Sequence, residues 1–362
     1  MKLTVPDYIA SISPYVPGKP MEELEREYGI RESVKLASNE NPLGPSPKAM
    51  EAIREAVGNL NRYPDGSGYF LTQKLSEILG VPADHLILGN GSDDIIDMLA
   101  RVFLRSGDEV IIPSPSFLMY EISVQATGAA SVKTPLKNLA IDLDAVLDAV
   151  TPRTRLIFLC NPNNPTGTIF TRENFDRFMQ QLPETILVVV DEAYIEFVRN
   201  PNCLRSLGYA DFSRPVVTLR TFSKAYGLAG LRIGYGIASP EIISLLHRVR
   251  QPFNASLVAQ TGALAALEDT EFLDRTLRTV HEGIDWLHAA LDGMGIRYFP
   301  TESNFFLIDT GRDARQVFEE LLREGVIVRS MAGYGFPRYI RVNTGTPAEN
   351  RTFIEALGRV LG

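Results

Sequence analysis

The sequence predicts an α/β fold, in which a mostly parallel seven-stranded sheet covered by helices forms a large domain and a smaller α+β domain follows. Two observations predict it. From about residue 46, short β-branched runs alternate with segments long enough to be helices, which is typical of a parallel sheet buried on both faces. After Gly295 the apolar runs become shorter and still alternate with helical segments.

The predicted strands are short runs of β-branched and aliphatic residues. In the large domain they lie at Leu86–Leu88, Glu109–Ile112, Ser131–Thr134, Leu156–Leu159, Ile186–Val190, Val216–Leu219 and Ile233–Ile237. Apolar periodicity predicts long helices over 257–267 and 272–294. In the small domain, strands at Phe305–Ile308, Val326–Val328 and Tyr339–Val342 alternate with helices at Ala314–Arg323 and Pro347–Leu361.

We expect three parts along the chain. Residues 1–45 are irregular and proline-rich, with one helical candidate at Met21–Tyr28, and are predicted to form an arm that contributes to the small domain and its pocket. Residues 46–260 form the large domain, and residues 261–362 form the small C-terminal domain. One long helix connects the two domains, so this boundary is gradual.

The composition excludes several classes of protein. The chain has 362 residues, of which 45% are hydrophobic, so it can bury a sizeable core. Its formal net charge of −8 argues against a general attraction to nucleic acid or to an anionic membrane. No apolar run approaches the roughly 18 residues of a membrane span, and the first ten residues lack a signal-peptide core. We therefore expect a cytoplasmic protein that binds neither nucleic acid nor membrane.

Neither the cysteines nor the histidines predict a disulfide or a metal site. Cys160 falls in a predicted buried strand and Cys203 in a polar loop, and two scattered cysteines make no zinc pattern. The histidines are equally scattered, at His85, His247, His281 and His288. We expect no bound metal.

Lys224 is the most informative residue. It lies directly after Ser223 and eight positions before Arg232, so one short segment offers an amine beside a hydroxyl and a guanidinium that bind anions. A pyridoxal phosphate enzyme needs this set, because its aldehyde forms a Schiff base with a lysine and its phosphate needs anion-binding groups. A lone Ser-Lys pair would mean nothing, since most lysines are solvated surface residues.

Asp191 strengthens the cofactor hypothesis. It ends the apolar run Ile186–Val190, and a carboxylate at the end of a buried strand is costly unless a cation faces it. The protonated pyridine nitrogen of the cofactor is such a cation. The alternative is that Asp191 caps the next helix. Asn164 lies in the turn after the preceding strand, and an α/β sheet brings such positions together with Lys224.

Seven segments spread over the chain carry a family resemblance. They are Ser38–Gly44, Arg62–Asp65, Gly89–Asp93, Asn161–Gly167, Asp191–Phe197, Thr221–Arg232 and Arg341–Thr346. With them the chain resembles the fold-type I aminotransferases, which depend on pyridoxal 5′-phosphate, and within these the histidinol-phosphate aminotransferases most. The first and fifth segments are fairly specific for that subfamily. The resemblance implies that residues 46–260 bind the cofactor.

The resemblance also implies which residues hold the cofactor. Arg232 and Ser223 would bind the phosphate together with the turn Gly91, Ser92 and Asp93, where backbone amides at a helix start can hold an anion. An ordinary helix cap at Ser92 or Asp93 is the alternative, and Asp93 would put a negative charge near the phosphate. Phe117 would stack on the pyridine ring; the alternative is that it is an ordinary core residue. Tyr194 and Asn164 would donate hydrogen bonds to the 3′ oxygen.

The same resemblance implies a homodimer with shared active sites. Tyr63, in Arg-Tyr-Pro-Asp, matches a tyrosine that reaches the phosphate of the neighbouring subunit in related enzymes. Neither spacing nor periodicity indicates the dimer independently.

On the substrate side, the resemblance implies that Arg341 binds the anionic group of the substrate, with Arg329 as a second candidate. That group would be the carboxylate of glutamate or the phosphate of histidinol phosphate. A surface arginine is the alternative for either residue. The other residues expected to line the pocket are Tyr15, Asn41, Asn164 and Asn304.

The implied reaction is a ping-pong transamination through a Schiff base on Lys224, in which L-histidinol phosphate and 2-oxoglutarate give imidazole acetol phosphate and L-glutamate. An aromatic amino acid aminotransferase is the alternative, because Arg341 suits a carboxylate as well and the segment 331–336 contains two aromatic residues. A threonine-phosphate decarboxylase is a weaker alternative, because Leu228-Ala229-Gly230 fits the form that this segment takes in transaminases better. A non-catalytic cofactor-binding module would need a fused DNA-binding segment, and the residues before the first motif lack one.

Overall fold

The computed structural model describes residues 4–15, 18–30, 33–209 and 213–362. The helices in these ranges are α1 Asp7–Ala10, α2 Met21–Tyr28, α3 Pro47–Ala56, α4 Tyr69–Leu79, α5 Ser92–Phe103, α6 Leu118–Gln125, α7 Leu143–Asp148, α8 Arg172–Gln181, α9 Pro240–His247, α10 Leu257–Leu267, α11 Thr270–Gly293, α12 Ala314–Arg323 and α13 Pro347–Leu361. None of these helices combines the length and the apolar character that crossing a bilayer requires.

The strands in the described ranges form three sheets. Their bounds are β1 Val34–Lys35, β2 Leu86–Gly89, β3 Glu109–Ser114, β4 Ala130–Lys137, β5 Ala140–Ile141, β6 Thr154–Cys160, β7 Leu187–Asp191, β8 Val216–Thr221, β9 Gly234–Ile237, β10 Arg297–Tyr298, β11 Phe305–Asp309, β12 Val326–Ile327, β13 Arg329–Ser330 and β14 Tyr339–Asn343. The large sheet has the order β2-β9-β8-β7-β6-β3-β4-β5.

The predicted sheet is confirmed, with one addition. All seven predicted strands of this sheet are present, and the sheet has one more, β5, a two-residue strand that pairs antiparallel with β4 at the edge. In the other sheets, the two-residue strands β1, β10 and β13 were not predicted either. The central pairs are parallel, from β8 through β7, β6 and β3 to β4. Strand β9 runs antiparallel to both β8 and β2. The connection from β8 to β9 contains no long helix to carry the chain back across the sheet, so β9 returns in the opposite direction.

The central strands are buried on both faces, as their continuous apolar sequences require. Along β6, Leu156 and Phe158 face one core that helices α5, α6 and α9 cover. The intervening residues Ile157 and Leu159 face the opposite core, which α7 and α8 cover. The alternation follows from the two-residue period of a strand.

The smaller sheet has the order β10-β11-β14-β13 and packs its apolar face on α11, α12 and α13. The N-terminal segment joins this part of the molecule, because β1 pairs in parallel with β12 and Leu36 lies in the same core. The domain boundaries at residues 45 and 260 stay a prediction.

The carboxyl ends of the parallel strands position the chemistry. Strand β6 ends at Cys160 and leads into the asparagine-rich turn, β7 ends at Asp191, and β8 ends at Thr221, two residues before Ser223. Strands that run in parallel bring these ends to one edge of the sheet, where α/β proteins bind their ligands.

Candidate active site

A cavity of about 180 Å³ lies at this edge, between the large sheet, the N-terminal segment and strand β14. Most of the residues that the sequence analysis selected line it together. They are Tyr15, Ser92, Asp93, Phe117, Asn164, Asp191, Tyr194, Ser223, Lys224, Arg232, Arg329 and Arg341.

Lys224 presents a reactive amine to the cavity. Its Nζ donates a hydrogen bond to the carbonyl oxygen of Ser38 at 3.2 Å and lies 5.7 Å from the centre of the Tyr194 ring. Burial lowers the pKa of Lys224 to about 8, and the positive charge of Arg341 acts in the same direction. At pH 7 roughly a tenth of the amine is therefore in its neutral and nucleophilic form, far more than for a solvated lysine with a pKa near 10.4.

Asp191 is a buried carboxylate, with 3% of its surface exposed. Its Oδ2 accepts a hydrogen bond from the hydroxyl of Tyr120 at 2.6 Å, and its Oδ1 accepts one from the backbone amide of Ala193 at 3.1 Å. Burial raises the pKa of Asp191 to about 6, although both hydrogen bonds favour the charged form. A group this costly to ionise suits a cationic ligand atom, which would repay the lost hydration.

The start of α5 and Arg232 form a cradle for an anion. Helix α5 begins at Ser92 after Gly91, which has φ 75°, and no side chain caps its first amides. Arg232 has φ 55°, and its Nη1 lies 3.4 Å from the hydroxyl oxygen of Ser223. A Cβ atom at Gly91 would lie 2.4 Å from Nη2 of Arg232, so glycine is required for this close approach. Free amides at a helix start and a guanidinium together favour a phosphate group.

Asp93 lies beside the cradle without filling it. Its Oδ2 is 3.5 Å from Nη2 of Arg232. Burial raises the pKa of Asp93, and the charge of Arg232 opposes this shift. The carboxylate thus compensates part of the arginine charge, and the residue at the helix start, Gly91, offers no side chain to cap the first amides of α5.

Tyr194 and Asn164 each accept a hydrogen bond from a neighbouring side chain, and each keeps a donor group that is free to bind a ligand in the cavity. The hydroxyl oxygen of Tyr194 accepts a hydrogen bond from Nδ2 of Asn39 at 2.9 Å, so its own proton remains to be donated. The Oδ1 of Asn164 accepts one from Nη1 of Arg341 at 2.6 Å, which directs the amide nitrogen away from the arginine. Both arrangements suit an anionic oxygen of a ligand.

Arg341 lies in β14 and is buried, with its guanidinium 5.1 Å from the centre of the Phe305 ring. Its Nη2 donates to the carbonyl of Ala37 at 2.7 Å, and burial lowers its pKa. The buried Nε atom makes no hydrogen bond to any group in the described ranges. Arg329 lies on the same side of the cavity, 5.8 Å from the centre of the Tyr15 ring.

The structure does not bring every selected residue into the cavity of this chain. Tyr63 is 82% exposed and stacks on Phe253 outside the cavity, with ring centres 4.7 Å apart. Asn41 is buried behind Lys224, where its Nδ2 donates to the carbonyl of Ala225 at 2.9 Å. Asn304 supports the wall indirectly, through a hydrogen bond to the carbonyl of Asn39.

Sequence reasoning missed three contributors. Tyr120 reaches Asp191, Asn39 reaches Tyr194, and the backbone of Ser38 reaches Lys224. Ser38 and Asn39 belong to a motif segment that the sequence analysis used only for the resemblance. Tyr120 lies in an ordinary apolar helix, so no local signal distinguishes it.

The family comparison gives the decisive observation. The family model described as aminotransferase class I and II matches residues 31–357. The chain belongs to this family. Among the described residues of this aminotransferase, no group of three or more His, Cys, Asp and Glu side chains is arranged to hold a metal ion.

Relatives and solved structures agree with this membership. Histidinol-phosphate aminotransferases from Moorella thermoacetica and Desulfotalea psychrophila are each 49% identical to this aminotransferase, over 99% and 100% of its chain and 94% and 96% of theirs. The crystal structure of histidinol-phosphate aminotransferase from Sinorhizobium meliloti in complex with pyridoxal-5′-phosphate is similar, with a TM-score of 0.90 and 30% identity over 98% of this chain and 96% of that one. Aspartate aminotransferase from Thermus thermophilus with maleate shares the fold, with a TM-score of 0.84, 23% identity and coverage of 99% and 100%.

Proposed function

We propose that this aminotransferase converts L-histidinol phosphate and 2-oxoglutarate into imidazole acetol phosphate and L-glutamate, with pyridoxal 5′-phosphate as its cofactor. One observation carries the proposal: a lysine amine, a buried carboxylate and an anion cradle line the same small cavity, together with two arginines for the substrate. The 49% identity to two histidinol-phosphate aminotransferases over nearly the whole chain supports this choice of substrate.

The residues present fit the cofactor on physical grounds. Pyridoxal phosphate supplies, when bound, an aldehyde that condenses with amines and a ring that accepts electrons. Asp191 is buried, and no lysine or arginine among the described residues forms an ion pair with its carboxylate, which suits the pyridine nitrogen. The first amides of α5 and the guanidinium of Arg232 suit the phosphate. Because Gly91 has no side chain, Arg232 can lie close to the start of the helix. Lys224 supplies the amine that the aldehyde requires.

In this proposal each residue has a defined task. Lys224 Nζ would remove the proton from Cα of the substrate and return it to the carbon that the cofactor's aldehyde supplies, on the other side of the shared nitrogen, acting first as base and then as acid. Asp191 keeps the heterocyclic nitrogen protonated, because its charge stabilises the cation. Tyr194 and Asn164 donate hydrogen bonds to the 3′ oxygen, and the ring of Phe117 covers the heterocycle.

Arg341 and Arg329 form the proposed anion site of the substrate. Both donors of the reaction carry an anion, a phosphate in histidinol phosphate and a carboxylate in glutamate, and a guanidinium binds either with two parallel hydrogen bonds. Tyr15 and Tyr334 line the same side of the cavity. Their aromatic rings also suit a phenyl or phenol side chain, so an aromatic amino acid aminotransferase is the second candidate.

The ratio of kcat/KM for histidinol phosphate to that for phenylalanine, with 2-oxoglutarate as acceptor, separates the two candidates. We expect a ratio of about 100 or more, since phenylalanine leaves buried groups that recognise the phosphate unpaired. The variant Arg341→Gln should lower kcat/KM for histidinol phosphate sharply. Arg338→Gln is the matched control, because this arginine is 57% exposed and pairs with Asp309 outside the cavity. A preference for phenylalanine in the parent enzyme would make the aromatic candidate the function.

A homodimer with shared active sites is part of the proposal. Several large apolar side chains close to Tyr63 in the sequence are exposed, namely Leu60, Tyr69 and Phe70, and Tyr63 itself stacks on the exposed ring of Phe253. Exposed apolar groups of this size suit burial against a second copy. Tyr63 would then reach the phosphate in the partner's cavity. The cytoplasmic location stays a prediction.

Subunit mixing tests the shared site. We expect Lys224→Ala to be inactive and Tyr63→Phe to keep roughly a tenth of the activity, as for the loss of one hydrogen bond to a charged group. When the two are unfolded and refolded together, the mixed dimers should contain one intact site. The activity should then rise to about a quarter of the wild-type value. Tyr69→Phe, at another exposed tyrosine six residues further along the chain, is the control and should stay fully active alone. Activity equal to the mean of the separate variants would rule out the shared site.

A further inference from the structure

Behind the cavity lies a tyrosine that belongs to no motif of the sequence. Tyr120 is fully buried, with 0% of its surface exposed, and its hydroxyl donates a hydrogen bond of 2.6 Å to Oδ2 of Asp191. It is absent from the cavity lining, but it contacts residues that line the cavity: its ring packs against Phe117, and its hydroxyl interacts with Asp191 and with the thiol of Cys160. Of these contacts, the hydrogen bond to Asp191 is the one that acts on a carboxylate of the site.

The ring of Tyr120 is held from two sides. It stacks on Phe158 with ring centres 4.6 Å apart and an angle of 3° between the planes. The ring of Phe117 meets it edge-on at 5.5 Å and 85°. Phe117 precedes the first residue of α6, and Tyr120 lies one turn further on. The same helix start therefore supplies a wall of the cavity and the donor to the carboxylate, and the packed ring fixes where the hydroxyl points.

The surroundings of Asp191 otherwise oppose its charge. Burial is the largest effect and raises its pKa, and the negative charges of Asp93 from α5 and of Glu192 next in the chain act in the same direction. The thiol of Cys160 from β6 and the phenol of Tyr194 also face it, and the pKa of each is raised. The Tyr120 hydrogen bond is the largest of the effects that favour the carboxylate, ahead of the amide of Ala193.

We propose that Tyr120 is a positioning residue that keeps the side chain of Asp191 ionised and directed at the heterocyclic nitrogen of the cofactor. The inference rests on the proposed function in one respect, namely that this nitrogen lies against Asp191. The pKa of the phenol itself is raised well above its ordinary value by burial, so the hydroxyl remains a donor at every pH at which the enzyme works. A donor that stays protonated and a ring packed against Phe158 and Phe117 favour the ionised carboxylate and restrict its orientation.

The variant Tyr120→Phe tests this proposal, because phenylalanine keeps both ring contacts and removes only the hydroxyl. Two measurements are made: the dissociation constant of pyridoxal phosphate from the protein, and the pH dependence of the bound cofactor's visible absorption and of kcat. Loss of a hydrogen bond to a charged group should weaken cofactor binding roughly 10- to 100-fold. The hydrogen bond lowers the pKa of Asp191, so its removal raises that pKa, and the acid limb of the pH profile should move up by about one unit.

A double-mutant cycle separates action through Asp191 from a general effect on packing. In the Asp191→Asn background, Tyr120→Phe should change cofactor affinity by less than about twofold, because no ionisable carboxylate remains to be held. The matched control is Tyr209→Phe, which removes a hydroxyl that also donates to an aspartate, Asp176, but lies outside the cavity. This control should leave affinity and pH profile as in the parent enzyme.

Two results would overturn the role of Tyr120. One is a Tyr120→Phe protein whose cofactor affinity and pH profile match the parent enzyme. The other is an equal loss of affinity in the parent and in the Asp191→Asn background, which would mean that the hydroxyl supports only the packing. A parent protein that does not bind pyridoxal phosphate would contradict the proposed function instead, so the two failures are distinguishable.

Discussion

Replacement of Lys224 by alanine is expected to lower kcat/KM for transamination by about 10⁴-fold or more, the upper range for a single acid–base group. The variant loses both the amine that condenses with the aldehyde and the base that moves the Cα proton. No other lysine lines the cavity among the described residues. The measurement is the rate of glutamate formation from histidinol phosphate as donor and 2-oxoglutarate.

A chemical readout accompanies this rate. Borohydride reduction of the parent enzyme with its cofactor should attach the pyridoxyl group to the peptide that contains Lys224, and peptide mass mapping should find it there. The control is Lys133→Ala, which removes a lysine with a side chain 52% exposed and paired with Glu121, and which should retain rate and label. A Lys224→Ala protein that transaminates at the parent rate, or a label on another lysine, would refute the assignment.

The second large effect is expected for Asp191→Asn. This variant should have a lower kcat than the parent enzyme, but its cofactor-free form should be more stable. With the cofactor bound, the neutral amide cannot hold the heterocyclic nitrogen protonated, so kcat should fall by about 10²- to 10⁴-fold. Loss of the protonated ring should also alter the visible absorption spectrum. A variant with normal kcat would show that the carboxylate does not serve the ring.

Without the cofactor, the same substitution should stabilise the protein. The folded-state pKa of Asp191, about 6, lies above the value near 3.9 expected when the chain is unfolded. Stability is therefore lost as the pH rises from about 4 to about 6 and stays lower above that range. Asp191→Asn removes this cost, so we expect the cofactor-free variant to be more stable by about 2–3 kcal/mol at pH 8 and nearly equal at pH 4.

Thermal melting of the cofactor-free proteins at the two pH values measures this difference. Asp176→Asn is the control, because Asp176 also accepts a hydrogen bond from a tyrosine but its side chain is 42% exposed. The difference in melting temperature between Asp176→Asn and the parent should be the same at pH 4 and at pH 8. Equal stabilisation of Asp191→Asn at both pH values would show that the burial of its charge is not the cause.

The elements of this fold could be predicted because short-range patterns determine them. The runs that became β3, β6 and β7 are apolar at most positions, as expected of strands that are covered on both faces. The small strand β5 was missed because two residues carry no period. The antiparallel course of β9 depends on the length of the connection before it, not on the strand's own sequence.

Within the candidate site, the sequence identified the residues that end strands or belong to tight turns. Asp191, Asn164, Ser223 and Lys224 follow buried strands, and parallel strands bring such positions to one edge. Asn41 was also selected from a motif segment, yet its side-chain amide does not line the cavity. It donates a hydrogen bond to the carbonyl of Ala225 instead. The motif gave its neighbourhood correctly but not the direction of its side chain.

The sequence by itself determined where strands and helices lie along the chain and which reactive groups stand at the strand ends. It could do so because local periodicity and turn chemistry depend on a few adjacent residues. Only the tertiary structure decided which side chains meet. Tyr120 contacts Asp191 across 71 residues, Asn39 contacts Tyr194 across 155, and Arg341 contacts Asn164 across 177. Such contacts depend on how sheets, helices and the N-terminal segment pack, and on the rotamer that each packed side chain adopts. No short window of sequence contains that information.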